Sequence, residues 1–125
     1  MESQNLWPEF EFIPARQPKT ILREQANFLI QKTKNILSAD IESSQSRDLI
    51  YHRFIIYAPA LNNYRYELLV VRHTIITYPL DVFFEGEAFS TANDEGELLN
   101  ALSNIFNHPS TKKVLDSLLS QSIAE

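Results

Sequence analysis

Between Pro18 and Leu37, residues Leu22, Ala26, Leu29, Thr33, Ile36 and Leu37 recur at steps of three and four. That spacing lines them along one stripe of a helix, with Lys19, Arg23, Asn27, Gln31, Lys34 and Asn35 away from its centre. Pro18 suits a first helical position, where its missing N–H is not needed. The pattern therefore predicts a helix over residues 18–37. Phe28 falls off the stripe, on the wet flank.

From Ser38 the period shortens to two. Ala39, Ile41 and Ser43 alternate with Asp40, Glu42 and Ser44, which predicts a strand ending in the polar turn of residues 43–48. Leu49 to Ala58 is rich in β-branched and aromatic residues and reads as a second strand. Pro59-Ala60-Leu61-Asn62-Asn63 makes a hairpin loop, and a long third strand runs from Tyr64 to about Thr77, stopped by Tyr78-Pro79. Leu80 to Glu85 is a fourth strand closed by Gly86, and Phe89 lies on a short fifth strand or a loop. Asn93 then caps a helix whose first turn is acidic and whose buried stripe is Leu98, Leu99, Leu102, Ile105 and Phe106. Asn107-His108-Pro109 interrupts it. Ser110 or Thr111 caps a last helix that buries Val114, Leu115, Leu118 and Leu119.

The expected fold is α+β: an antiparallel meander of three to five strands, one amphipathic helix before it, and two helices after it on one sheet face. Residues 18–125 form this domain. Residues 1–17 form an extended arm whose Trp7, Phe10, Phe12 and Ile13 are expected to lie against the domain or, alternatively, to reach a second subunit or a partner, since such side chains are costly to leave wet.

The central hairpin can be read in more detail. With Ala58 opposite Tyr64, even positions share one face: Ile50, His52, Phe54, Ile56, Tyr66, Leu68, Val70 and Arg72. This is the more apolar set and is assigned to the helices. The other face then carries Tyr51, Arg53, Ile55, Tyr57, Arg65, Glu67, Leu69, Val71 and His73. A slip of one residue would exchange the two assignments. The second set is less polar than an open sheet face usually is. Cross-strand pairing of Tyr57 with Arg65 and of Arg53 with Glu67 is the simplest explanation, and a protein interface is the alternative, because Tyr and Arg are enriched at such contacts.

Composition narrows the chemistry. The chain has 125 residues, enough for one core, and no cysteine, so disulfides, thiol catalysis and Cys-based zinc sites are excluded. Only two glycines are present, so the phosphate-binding loops that need several at fixed spacing are absent. The net charge of −5 and the lack of a basic cluster argue against nucleic acid, although an aromatic, arginine-bearing sheet is one way that bases are stacked. No stretch is apolar enough to span a membrane, and the amino terminus, from Met1 and Glu2 to Trp7, lacks signal-peptide character, so the expected location is cytoplasmic.

No serine stands in a nucleophile elbow, and His52, His73 and His108 have no metal-binding spacing. The hairpin parity sends His52 and His73 to opposite faces, and His108 reads as a helix C-terminal cap. The expectation is a non-catalytic protein-interaction module, of accessory, inhibitor, immunity or adaptor type, using Tyr51, Arg53, Tyr57, Arg65 and Glu67 to hold another protein or a second copy of itself. The alternative is a small-ligand domain or weak hydrolase with a pocket between sheet and helices around His52, Tyr66 and Arg72. RNA binding comes third. No cofactor and no metal are expected.

Overall fold

The computed structural model describes residues 3–12 and 14–124. The fold is α+β, as the periodicity predicts: α1 (Pro18–Lys32), five strands β1 (Ser38–Ser46), β2 (Leu49–Ala58), β3 (Tyr64–His73), β4 (Leu80–Phe84) and β5 (Glu87–Ala92), then α2 (Glu95–Phe106) and α3 (Pro109–Ile123). The sheet is one antiparallel meander in chain order. All three helices share a core with one of its faces: Ile21, Leu22 and Ala26 from α1, Leu98, Leu102 and Ile105 from α2 and Leu118 from α3 meet Ile41, Phe54, Ile56, Leu69, Val71, Leu80 and Val82.

α1 stops at Lys32, earlier than its apolar stripe suggests. The Thr33 hydroxyl donates back to the Leu29 carbonyl at 3.0 Å, and Lys34 and Asn35 take positive φ, which turns the chain into β1. Leu37 is buried at the entry to the sheet instead of on the helix. The β1–β2 turn is tighter than expected, since Ser46 pairs Leu49 across Arg47 and Asp48. β3 ends at His73, so residues 74–79 are a connection and not strand. Phe89 does lie on a strand, at a bulge in the β4–β5 pair.

The helix caps also shift. Asp94, not Asn93, caps α2: its carboxylate accepts from the Glu97 N–H at 2.8 Å, while Glu97 reaches back to the Asn93 N–H at 2.9 Å. His108 caps the start of α3, not the end of α2, and its Nδ1 accepts from the Ser110 N–H at 3.1 Å. Pro109 at the first helical position leaves no room for a cap at Ser110 or Thr111.

The hairpin parity holds only in part. Ala58 does pair Tyr64, but a bulge at Leu68 breaks the register: Phe54 pairs Leu69, whereas Ile55 pairs Glu67. Beyond it the faces exchange. Leu69, Val71 and His73 turn toward the helices, and Val70 and Arg72 turn away. The run Leu-Leu-Val-Val does not alternate, so nothing in it marks the extra residue.

The arm does not lie on the domain. Leu6, Trp7, Phe10 and Phe12 are 83%, 77%, 71% and 84% exposed, and Phe10-Glu11-Phe12 makes no strand. The Trp7 and Phe10 ring centres lie 6.5 Å apart. Ile13 lies outside the described residues, as do Met1, Glu2 and Glu125.

Candidate functional site

Three arrangements carry chemistry, and the first is the open sheet face. Tyr51, Arg53 and Tyr57 from β2 stand beside Glu42 and Ser44 of β1 and Arg65, Glu67 and Arg72 of β3. Arg65 holds Glu42 through both guanidinium nitrogens and donates to the Tyr57 hydroxyl at 3.0 Å. Its hydrogen bonds hold the Glu42 carboxyl below the usual carboxylate range. Arg53 lies 3.6 Å from Glu67, donates to Ser44 at 2.8 Å and sits 5.4 Å from the Tyr51 ring centre. Arg72 belongs to this face, bonds Asp81 at 2.8 Å and covers the Phe83 ring. Ile55 is fully buried here, between Arg53 and Tyr57 on its own strand and opposite Glu67. Arginine stems and tyrosine rings cover such a residue without any partner.

The second arrangement is a histidine pair that the parity reading missed. The bulge brings His73 to the same face as His52, and their Nε2 atoms lie 2.9 Å apart. His73 Nδ1 is 2.7 Å from the Thr74 carbonyl, which can only accept, so that nitrogen carries the proton. In the neutral pair, His73 Nε2 then accepts from the His52 Nε2–H, and His52 Nδ1, 2.7 Å from Ser43 Oγ, accepts from that hydroxyl. Burial lowers the His52 pKa to about 4, helped by repulsion from His73 and from Lys19. A base this weak draws a proton from a serine poorly near neutral pH. Among the described residues no cluster of three potential metal ligands occurs.

The third is a cleft. α1 packs over β1 and α2 over β5, at opposite edges of the sheet. Five strands spaced ~4.8 Å put those edges about 19 Å apart, roughly twice the separation of packed helices. α3 packs on β2, on α2 and on the 3-10 turn Pro59–Leu61, and so roofs only part of the gap. What remains is about 680 Å³, floored by Phe54, Ile56 and Leu68 and walled by Phe28 and Leu29 of α1 and by Leu99, Leu102 and Phe106 of α2. Among the described residues, Lys32 is the one charged side chain in its lining. Thr111, also in the lining, is 1% exposed, and among the described residues its hydroxyl has no hydrogen-bond partner.

The three pocket candidates separate. His52 faces the helices but belongs to the histidine pair. Tyr66 lines a smaller cavity of about 270 Å³ with Leu61, Val114 and Leu118. Arg72 lies across the sheet. The cleft was not legible because its walls come from helices far apart in sequence; the exposed, off-stripe Phe28 was its only local sign. Among the described residues no helix is long and apolar enough to cross a membrane. No protein-family model, curated protein or solved structure matches the chain.

Proposed function

We propose that the chain is a non-catalytic protein-interaction module that grips an extended aromatic segment of a partner protein, flanked by carboxylates, in the cleft between α1 and α2. One observation carries this reading: among the described residues, the cleft lining combines the exposed apolar side chains of Phe28 and Leu99 with a single cation, Lys32. An extended peptide complements both. Its aromatic side chains pack on Phe28 and Leu99, and a neighbouring carboxylate meets Lys32. The volume falls within the ~300–1,000 Å³ of ligand pockets, which suits a few side chains and not a folded surface.

The Tyr51, Arg53, Tyr57, Arg65 and Glu67 face is the weaker candidate, with another protein or a second copy of the chain as its partner. Its arginines already hold carboxylates of the same sheet, so a partner would have to displace them. The cleft's size also favours a second reading, a small apolar ligand.

Selection of short random peptides on the full chain tests these readings together. The expected binders carry two aromatics beside Asp or Glu. Phe28→Glu and Lys32→Glu should weaken them by ~10-fold or more, and Tyr57→Ala and Arg53→Ala should not. Binders indifferent to Phe28→Glu but lost in Tyr57→Ala would move the contact to the open face. Failure to select any peptide, with a hydrophobic dye still bound in the cleft, would leave the small-ligand reading.

A further inference from the structure

The two edges of the sheet are finished differently. β5 has six residues, is bulged against β4 and packs with α2. β1 has nine residues and pairs β2 along its whole length with no shift of register. It lacks the proline, lysine or bulge that commonly blunts an open edge. Ala39 and Ile41 are buried beneath α1, whereas residues 43–46 are exposed. The turn fixes which groups this edge offers. Only Arg47 and Asp48 separate Ser46 from Leu49, so those two close the hairpin as a hydrogen-bonded pair. Counting back in twos, Ser44, Glu42 and Asp40 also spend their N–H and C=O on β2. Ile41, Ser43 and Gln45 direct theirs out of the sheet. The Ile41 N–H agrees with this parity, since the Asp40 carboxylate accepts from it at 2.8 Å. Asp40 thus seals the edge at Ile41 and leaves the groups of Ser43 and Gln45 open to solvent.

We infer that this open half of β1 pairs with the same half of a second copy, antiparallel about a two-fold axis at Ser44, so that the two sheets join into one. The contact is separate from the cleft, which lies between the helices. Backbone and side chains both select a second copy in this register. With the axis at Ser44, Ser43 of each copy stands opposite Gln45 of the other. Each such pair exchanges both of its hydrogen bonds, and the sealed Ile41 N–H is not called on. An axis one residue earlier would need that N–H, and one residue later would leave Ser43 opposite the Arg47 turn. The strand is also complementary to itself. Its carboxylates, Asp40 and Glu42, come first and are followed by the uncharged polar run Ser43-Ser44-Gln45-Ser46. Antiparallel pairing turns one part against the other. Glu42 then accepts from the second copy's Ser46 hydroxyl, and no like charges stand opposite within the paired stretch. Arg47, which forms no ion pair among the described residues, is carried to the acidic part of the second copy.

Sedimentation equilibrium of the full chain between ~10 µM and ~1 mM tests the pairing, a range suited to so small a contact. The expected result is a mean mass that rises from the monomer's toward the dimer's. Gln45→Pro removes an N–H that points outward and none that bonds β2. It should weaken association by ~10-fold or more while circular dichroism and Tm stay close to the parent's. Charges placed at the axis give a readout that a merely structural role would not move. Ser44→Glu alone and Ser44→Lys alone set like charges opposite one another and should weaken association several-fold. An equimolar mixture of the two variants should restore it. A chain that stays monomeric at the highest concentration would overturn the inference. So would a dimer that Gln45→Pro leaves equally strong, or one lost in Tyr57→Ala but kept in Gln45→Pro, which would place the contact on the open face. Failure of the mixture to recover what the single variants lose would remove the axis at Ser44.

Discussion

Replacing His52 by Asn should flatten the dependence of stability on pH between 7 and 5. His52 is 6% exposed and its pKa is lowered to about 4 in the folded chain. In the unfolded chain it returns to ~6.5. As pH falls through 6.5, the unfolded chain gains a proton that the folded chain refuses, so stability is lost. The loss continues until pH reaches the folded value near 4. Those two pKa values give a loss of ~2 kcal/mol between pH 7 and pH 5, and about 3 kcal/mol once both states are protonated. Urea denaturation followed by far-UV circular dichroism reads it as a fall in midpoint of ~1–2 M. His52→Asn still accepts from Ser43 but does not titrate. It should be less stable than the parent at pH 7, by ~1–3 kcal/mol for the disturbed pair, yet lose far less than the parent on acidification. A variant that loses as much as the parent between pH 7 and 5 would show that the histidine pair does not control the acid side of the stability curve.

The remaining expectations concern the frame. Phe54→Ala removes a fully enclosed ring that meets Phe106 with centres 5.7 Å apart, and should cost ~3–5 kcal/mol, a fall in Tm of roughly 10–20 °C by calorimetry. Asp94→Ala deletes the α2 cap and should cost about 1 kcal/mol in chemical denaturation. The two glycines should respond with opposite sign. Gly86→Ala forces a side chain onto φ +81° and should destabilise by about 1 kcal/mol, whereas Gly96→Ala, in the first turn of α2 with an ordinary contact to Asp94, should stabilise by ~0.5 kcal/mol. Equal effects at the two sites, measured by thermal melts, would contradict the turn geometry at residues 85–86.

What the amino-acid order determined by itself was everything that depends on neighbours a few residues apart. The helix beginning at Pro18, the strand limits at Leu49, Ala58, Tyr64 and Leu80, and the pairing of Ala58 with Tyr64 all follow from local period and turn chemistry. So does the Tyr57–Arg65 contact, which lies on the regular side of the hairpin, whereas Arg53 and Glu67 meet across the bulge. Tertiary structure decided the rest. A single extra residue at Leu68 exchanges the faces of β3, bringing His73 to His52 and sending Arg72 away. Whether that extra residue is accommodated depends on how Leu68 and Leu69 both pack into the core, an energy no local pattern contains. The cleft is less legible still. It exists because α1 and α2 settle on opposite edges of a five-stranded sheet too wide for two helices to cover, and that distance is set only when all five strands have paired.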